Sequence, residues 1–395
     1  MTTSATTDPV RPLTELAADE KQFRDDVRGF AEQKVAPLVR EMDRDAALSP
    51  ALLRQLFEAG LMGLGVPAEY GGRGGTHFMV ALAIEELSRV DPAVAVVVDV
   101  QNVLVAGAIA AWGSVEQKRR HLTALASDTV GAFSISEQGA GSDAFALETV
   151  ARHDGDGYVL SGRKSWTTNG AEAGIVVVFA QVMVNGQKRG ISAFVLDRSI
   201  PGWSVGRKED KLGIRASSTC ELVLQDVRLG RGALLGPVGA GFDIATSILS
   251  CGRIGIAAQM LGLAQGAHQA AVGYAKKRRQ FGQAIGSFQA VQFDLARMAI
   301  DIDAARLLVY NAARLADARC ALPLLITASA KAKYFASQVA ERVASETVEV
   351  FGGNGFVKDF PAEKFYRDAK IGKIYEGTSN MQLRIVASDL LGALR

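Results

Sequence analysis

Two separated stretches of the chain combine carboxylates, hydroxyls and glycines in a pattern that suits the binding and reaction of a large ligand. In residues 131–143, GAFSISEQGAGSD, an apolar strand-like run ends in a loop that carries Ser136 and several small residues. Small residues let a ligand lie against bare backbone, and glycine permits turns that other residues resist. In residues 374–380, IYEGTSN, Glu376 stands between an aromatic residue and a glycine. Taken alone, each stretch is also compatible with an ordinary loop.

Glu376 is the candidate general base. A carboxylate serves as a base only where it is held near the proton and its pKa is raised. Tyr375 supplies an apolar wall that would desolvate the carboxylate and raise its pKa, and Gly377 lets backbone approach a ligand. On the residues alone, the simpler interpretation is a surface carboxylate near the start of the last helix, where it would favour the helix dipole.

The composition restricts the class of protein. The chain has 395 residues, of which 48% are hydrophobic, enough for a large core and two or three domains. A net charge of +2 gives no reason to expect nucleic acid or an anionic membrane as a partner. Three widely spaced cysteines and four scattered histidines predict neither a disulfide framework nor a metal site. Because Met1–Val10 lacks the pattern of a secretory or mitochondrial signal, we expect a cytoplasmic protein.

The period of the hydrophobic pattern changes twice along the chain, which predicts three domains. Residues 1–129 predict an N-terminal α-helical domain, and residues 130–237 predict a middle, barrel-like β domain of short strands and turns. Residues 238–395 return to long helical patterns and predict a C-terminal α-helical bundle. The predicted fold class is α+β and mainly α. Because the β runs do not alternate with helices, we expect an antiparallel sheet rather than a parallel dinucleotide-binding sheet.

Local signals predict several helix boundaries. The Ser-Pro pair at 49–50 predicts a helix start, and the Ser-Val-Glu-Gln stretch at 114–117 predicts a capping box. Pro37 should kink or end the first helix. We expect Ser287 to open a long helix. Polar residues interrupt the apolar run 94–112, so we interpret it as a helix buried in a bundle rather than a membrane span.

Further motifs accompany the two stretches in sequence order. They are KSWTTNG at 164–170, RRQFG at 278–282, FQ at 288–289, FGGNG at 351–355 and RDAKI at 367–371. Their joint occurrence resembles the acyl-CoA dehydrogenases over nearly the whole chain. Within that family, KLGIRASSTC at 211–220 and GRIGIAAQM at 252–260 are most similar to the short/branched-chain members.

The resemblance implies an enzyme that oxidises the Cα–Cβ bond of an acyl-CoA thioester to a trans-2-enoyl-CoA. This chemistry needs a base for the α-proton and a hydride acceptor at Cβ. No side chain accepts hydride, so FAD is implied as the cofactor. By resemblance, Glu376 takes the α-proton. Some members carry the base on the helix just before the position of Arg253. Here that position is Gly252, which has no acidic group and leaves Glu376 as the candidate.

The resemblance also implies a set of FAD-binding residues. Ser136 and Thr168 would hydrogen-bond the isoalloxazine ring, and Trp166 would pack against it. Arg278 suits a diphosphate, because a guanidinium makes paired charge-assisted bonds, and in the family it contacts the FAD of a neighbouring subunit. The full set is Phe133, Ile135, Ser136, Trp166, Thr168, Arg278, Phe281, Gln289, Glu349, Gly352, Gly353, Thr378 and Asn380. Simpler alternatives stay open, namely a hydroxyl that caps a strand end, a core tryptophan and a charged helix surface.

For the substrate, the resemblance implies an acyl-CoA channel. Its residues would be Ser142, Phe242, Ser250, Arg253, Tyr375 and Gly377. Arg253 stands in an otherwise apolar helix and needs a partner if it is buried, so a structural salt bridge fits as well as substrate contact. The branched-chain resemblance implies 2-methylbutyryl-CoA or isobutyryl-CoA. The implied partners are electron-transfer flavoprotein, as electron acceptor, and identical subunits in a homotetramer.

Two other functions stay open from the sequence. A flavin oxidase or monooxygenase would keep the fold and reduce oxygen, although members of that kind often lack the glutamate present at 376. A non-catalytic acyl-CoA-binding subunit would show eroded flavin motifs, and this chain retains them.

Overall fold

The chain runs through helices, then a sheet, then helices again, in the order that the sequence predicts. The computed structural model describes residue 12 and residues 14–392, so the prediction about Met1–Val10 lies outside the described residues. The helices of the first part are α1 (Ala18–Phe30), α2 (Val39–Asp45), α3 (Pro50–Glu58), α4 (His77–Ser88), α5 (Pro92–Asp99), α6 (Gly107–Trp112), α7 (Val115–Gln117) and α8 (Thr123–Ser127).

Side-chain caps define two of these helix starts. The Ser49 hydroxyl accepts a hydrogen bond from the Leu52 amide at 3.4 Å, and Pro50 is the first residue of α3. At α7, the Gln117 amide donates to the Ser114 hydroxyl at 3.2 Å, and the Ser114 amide donates to the Gln117 side-chain oxygen at 2.9 Å. These bonds satisfy amides that a helix N-terminus leaves unpaired. Both predicted helix starts are confirmed.

The first helix is interrupted around Pro37. A π-helical segment (Ala31–Val35) and a 3₁₀ turn (Ala36–Leu38) separate α1 from α2. Proline has no amide hydrogen and cannot continue the helical pattern of hydrogen bonds. The predicted kink is confirmed.

The β domain is one mixed sheet. Its strands are β1 (Gly131–Ser134), β2 (Val150–Asp154), β3 (Gly157–Thr168), β4 (Ile175–Val184), β5 (Gln187–Asp197), β6 (Trp203–Lys208), β7 (Thr219–Gly230) and β8 (Leu234–Leu235). Most neighbours are antiparallel, but β4 pairs in parallel with both β1 and β2. The prediction of an antiparallel domain is wrong for these two pairings. Parallel neighbours need a long crossover connection, and here further strands and loops provide it in place of a helix.

The central strand β4 divides two cores. Val177 and Phe179 belong to the large core shared with the helices, whereas Val176, Val178 and Ala180 belong to a smaller core within the β domain. Successive side chains of a strand point to opposite faces, so one face of the sheet packs against the helical part of the protein.

The C-terminal part is built on three long helices. Its elements are α9 (Gly241–Lys277), the short strands β9 (Arg279–Gln280) and β10 (Gln283–Ala284), α10 (Gln289–Asp317), α11 (Leu322–Phe351), α12 (Ala362–Ala369) and α13 (Ser379–Leu391). The predicted start of α10 at Ser287 is wrong. Ser287 lies in a 3₁₀ turn, and Phe288 is extended (φ −82°, ψ 131°), so the helix begins only at Gln289.

In the described part of the chain, two helical segments are apolar and long enough to cross a membrane by length and composition. They are residues 92–112 and α9, and 89% and 72% of their most apolar windows are buried inside the fold. Such burial is a property of core helices, and it confirms the interpretation of residues 94–112 as a helix within a bundle.

Candidate active site

Glu376 lies in a short loop between a 3₁₀ turn (Lys370–Lys373) and α13. Its φ is +51° and that of Gly377 is +88°, so two successive residues adopt the left-handed conformation. For a residue with a side chain this conformation costs about 1–2 kcal/mol. The Thr378 hydroxyl accepts a hydrogen bond from the Met381 amide at 3.4 Å and caps α13 directly after the loop. The loop is therefore held in a strained shape at a helix start.

The Glu376 carboxylate points into the protein. Its Oε2 atom is buried and has no hydrogen-bond partner among the described residues. Oε2 faces α9 at Gly252, where an added Cβ would lie 2.9 Å away. Burial raises the pKa of Glu376 to about 7, against the opposing effect of the Arg253 and Lys333 charges. The alternative of a surface carboxylate is wrong.

Arg253 follows Gly252 in α9, close to Glu376. Its Nε and Nη1 atoms are buried and make no hydrogen bond within residues 14–392. Burial lowers its pKa, while the charge of Glu376 acts in the opposite direction. The structural salt bridge considered above is not formed in the described chain. A guanidinium with unused donors thus lies near a carboxylate with an unused acceptor, which suits a polar ligand between them.

Tyr375 is held in a fixed position beside Glu376, the candidate base. Its hydroxyl donates to Gln259 Oε1, and Gln259 in turn donates through Nε2 to the Pro92 carbonyl at 2.7 Å. Burial raises the pKa of the Tyr375 phenol well above its usual range. Hydrogen bonds therefore connect Tyr375 to α9 and, through Gln259, to the start of α5.

Two charged residues near Glu376 were not predicted from the sequence. Lys333 of α11 is fully buried, and its Nζ donates to the Gly377 carbonyl at 2.6 Å. Asp99 of α5 is fully buried, and neither of its oxygens has a hydrogen-bond partner among the described residues. Burial, and then the Glu376 charge, raise the pKa of Asp99 well above its usual range. The signal available in sequence was an ionisable residue within an apolar helical pattern.

The predicted flavin-ring residues form a second group at the ends of β1 and β3. The Ser165 amide donates to the Ser136 carbonyl at 2.9 Å. Trp166 has a φ of +61° and is 58% exposed, so the alternative of a core tryptophan is wrong. The structure gives the hydroxyls of Ser136 and Thr168 no hydrogen-bond partner in its described part. An exposed indole near two unused hydroxyls fits a planar ring such as that of FAD.

Phe133 and Ile135, which precede Ser136 in sequence, are buried beside this group. Each is 8% exposed and packs in the core shared with the helices, with the rings of Phe133 and Phe179 5.1 Å apart. The neighbouring Glu137, although part of the same motif, is a structural residue. Its carboxylate binds the buried Lys164 Nζ at 2.7 Å and accepts bonds from two backbone amides.

The residues expected to contact a neighbouring subunit's FAD form a third, exposed group. The Arg278 amide donates to the Tyr274 carbonyl at 2.8 Å, and the Tyr274 ring stacks on Phe351 with centroids 4.1 Å apart. Tyr274 thereby joins the β9–β10 hairpin, which carries the 94% exposed Phe281, to the turn that begins at Gly352. The members of the group are all exposed, namely Arg278, Phe281, Gln289, Glu349, Gly352 and Gly353. Among the described residues, no hydrogen bond or ion pair joins this group to Glu376.

The remaining predicted substrate and cofactor residues are divided between surface and core. Ser142 and Asn380 are exposed, and Phe242 packs on Phe145 with ring centroids 4.7 Å apart while staying 56% exposed. Ser250 is fully buried, and its hydroxyl donates to the Thr246 carbonyl at 2.7 Å. The Ser250 hydroxyl therefore donates its hydrogen bond within α9 rather than to a ligand.

The RDAKI motif connects the domains around this site. Asp368 accepts a hydrogen bond from the Ile214 amide at 2.5 Å and pairs with Lys364 at 2.6 Å. Lys364 also pairs with Asp91 at 2.9 Å, and Arg367 pairs with Asp43 at 2.8 Å. These contacts attach the β-domain loop that contains Ile214 to α12 and to the first helical domain.

Comparison with known sequences gives one consistent result. Three family models match the chain in order: the acyl-CoA dehydrogenase N-terminal domain at residues 17–129, the middle domain at 132–227 and the C-terminal domain at 239–391. A probable short/branched chain specific acyl-CoA dehydrogenase of Dictyostelium discoideum is 48% identical over 97% of this chain and 92% of its own length.

Solved structures agree with the sequence comparison. Butyryl-CoA dehydrogenase from Megasphaera elsdenii is 40% identical, with a TM-score of 0.92, over 95% of this chain and 99% of that one. A chain from work on the electron transferring flavoprotein of Acidaminococcus fermentans is 43% identical, with a TM-score of 0.93, over 96% of this chain and 100% of that one.

Proposed function

The chain belongs to the acyl-CoA dehydrogenase family of FAD-dependent oxidoreductases, and on this premise we propose that it oxidises a short or short branched acyl-CoA with Glu376 as base. The observation that supports the base most strongly is the buried Oε2 of Glu376, which has no hydrogen-bond partner among the residues described, together with a pKa of about 7. A general base works best when its pKa lies near the operating pH.

Glu376 and the residues around it have different roles in the proposed reaction. Glu376 Oε2 removes the α-proton of the thioester and holds it as the neutral carboxylic acid. Arg253 presents its unused donors to polar atoms of the substrate, and Tyr375 excludes water from one side of the base. Bound FAD supplies the acceptor for the β-hydride. Ser136, Trp166 and Thr168 would hold its ring, and Thr378 and Asn380 would contact it from the start of α13.

The substrate preference is supported by the relatives. The Dictyostelium relative is named for short/branched chains and the Megasphaera structure for butyryl-CoA. We therefore propose 2-methylbutyryl-CoA or isobutyryl-CoA as the preferred substrate, with short straight chains next. Ser142, Phe242, Ser250 and Gly377 are proposed to line the acyl-CoA channel.

For electron transfer and assembly, we propose electron-transfer flavoprotein as acceptor and a homotetramer in the cytoplasm. The Acidaminococcus chain, which comes from work on an electron transferring flavoprotein, supports this acceptor. The exposed group around Arg278 and Phe281, which in the described part of the chain has no hydrogen bond or ion pair to Glu376, supports FAD shared between subunits. Exposed apolar residues of α10, such as Phe293 and Ile300 at 55% and 68%, support further subunit contacts.

Flavin bleaching tests the proposal. The anaerobic, FAD-loaded protein is mixed separately with 2-methylbutyryl-, isobutyryl-, isovaleryl-, butyryl- and octanoyl-CoA, and the flavin absorbance is followed. We expect the 2-methyl-branched thioesters to bleach the flavin fastest. A preference for a straight chain would overturn the substrate assignment alone. Absence of bleaching with every thioester would overturn the dehydrogenase, and rapid reoxidation by oxygen would favour an oxidase.

A further inference from the structure

Lys333 is a fully buried lysine whose ammonium group faces the loop of the base. It lies in the middle of α11, and its Nζ donates to the Gly377 carbonyl at 2.6 Å. Burial of a lysine is costly unless the ammonium finds a partner. An apolar residue at this position would pack in the same place without that cost, so the ammonium group itself needs an explanation.

The Gly377 carbonyl belongs to the strained part of the site. Glu376 and Gly377 are both left-handed, with φ of +51° and +88°. Gln382 of α13 donates through Nε2 to the Glu376 carbonyl at 3.1 Å and to the Gly377 carbonyl at 2.9 Å. Side chains of α11 and α13 thus hold both carbonyls of the turn, and the turn determines where the Glu376 carboxylate points.

The ionisable groups around Glu376 come from several elements. Arg253 faces Glu376 from α9, Lys333 from α11 and Asp99 from α5, while Tyr375 adjoins it in the loop. Burial lowers the pKa of Lys333 to about 7, an effect that the Glu376 charge opposes and the Arg253 charge reinforces. The Lys333 charge in turn opposes the rise in the pKa of Glu376. Lys333 and Glu376 therefore each favour the charged form of the other.

We propose that Lys333 is a positioning residue for the base: it fixes the left-handed turn through the Gly377 carbonyl, and its charge favours the carboxylate form of Glu376. This inference rests on the proposed function, in which Glu376 is the base. A lysine with only a structural role would hold the turn without affecting the protonation of Glu376, so the pH profile separates the two roles.

The test compares FAD-loaded K333M and K333R with the wild type. Methionine retains the apolar stem but has neither charge nor donor. For K333M we expect kcat to fall about tenfold with little change in KM. The acidic limb of its pH–kcat profile should move upward by about one unit, because the carboxylate loses a nearby positive charge. K333R retains the charge and should retain the wild-type acidic limb.

Two further variants act as controls. K370M removes an exposed lysine that pairs with Glu341 of α11 at 2.6 Å, and solvent screening should leave the acidic limb unchanged. Q382L removes the neutral donor to the same turn, so it should lower kcat without moving the limb. E376Q tests the base itself, and full activity in E376Q would overturn the proposed function rather than the role of Lys333.

A folded, FAD-loaded K333M with the wild-type acidic limb would overturn the role of the charge. Wild-type kcat in both K333M and Q382L would overturn the positioning of the turn. If K333M does not fold, K333R decides, because an upward shift of its acidic limb despite a retained charge would contradict the proposal.

Discussion

The carboxylate of Glu376 occupies space that a side chain at residue 252 would need. A Cβ built on Gly252 would lie 2.9 Å from Glu376 Oε2 and 2.8 Å from Leu104 Cδ2. The family resemblance allows a base either at the loop position or on the helix before Arg253, and these two positions converge on one point in space. A chain that places its base at 376 therefore gains room for the carboxylate from a glycine at 252.

This relationship predicts that G252A impairs catalysis. The added methyl group must displace either the Glu376 carboxylate or Leu104, because both lie within 3 Å of it. We expect kcat to fall about tenfold or more, since small misplacements of a reacting group are costly. The matched control is G273A, also in α9, where an added Cβ would meet no atom of the described residues within 4 Å. G273A should keep its kcat and gain about 0.5–1 kcal/mol of stability, and equal kcat values in the two variants would contradict the predicted clash.

The pKa of Glu376 predicts how activity depends on pH. Burial raises this pKa to about 7, and only the deprotonated form accepts a proton. The kcat/KM of the FAD-loaded enzyme should therefore rise with pH through about 7 and reach a plateau above it. E376Q should lose about 10²–10⁴-fold in kcat at every pH, since general base catalysis contributes this much. FAD binding by E376Q, measured from the visible spectrum, should be normal, and an acidic limb that persists in E376Q would assign it to another group.

Much of the local structure could be predicted because its causes lie within a few residues. The Ser49 and Ser114 caps and the interruption at Pro37 depend on neighbours in sequence, and all three are confirmed. The predicted start of α10 at Ser287 was wrong because the backbone of Phe288 is extended, so the helix begins only at Gln289. The parallel pairing of β4 with β1 was missed because strand direction depends on connections of about 40 residues, which local patterns do not contain.

The site could be predicted only in part for the same reason. The roles of Glu376 and Trp166 were predicted from their motifs, because these motifs resemble those of the acyl-CoA dehydrogenases. Lys333 and Asp99 approach Glu376 from α11 and α5, which are far from it in sequence, and only packing brings them together. An ionisable residue inside an apolar helical pattern was the visible signal, and it did not indicate which residue each group would face.

The contacts of Asp368 predict a large effect on stability. The D368A variant removes the acceptor of the Ile214 amide and one of the two carboxylates around Lys364. Lys364 keeps Asp91 as a partner, but the buried Ile214 amide is left without its acceptor, which costs about 1–3 kcal/mol, and the lost pairing with Lys364 adds to this cost. We expect a clear loss in the free energy of unfolding, measured by urea denaturation of the FAD-loaded protein.

The control for D368A is D359A. Asp359 pairs with Arg40 at 2.9 Å, but both side chains are more than 70% exposed. Exposed pairs contribute about 0–1 kcal/mol, so D359A should resemble the wild type. Similar losses in D368A and D359A would contradict the role of Asp368 in attaching the β domain.

Asp99 provides a test of charge inside the site. Its carboxyl group is fully buried without a hydrogen-bond partner in the described chain, and burial together with the Glu376 charge raises its pKa well above the usual range. A pKa raised by burial favours the neutral, protonated form of the carboxyl group. The neutral isostere D99N should therefore leave the acidic limb of the pH–kcat profile where it is in the wild type. If Asp99 were instead charged, D99N would remove a negative charge from beside the base, lower the pKa of Glu376 and move the limb to lower pH. Comparison of D99N with K333M is informative because Asp99 and Lys333 both face Glu376. Only K333M is expected to move the acidic limb of the pH–kcat profile, and the shift should be to higher pH.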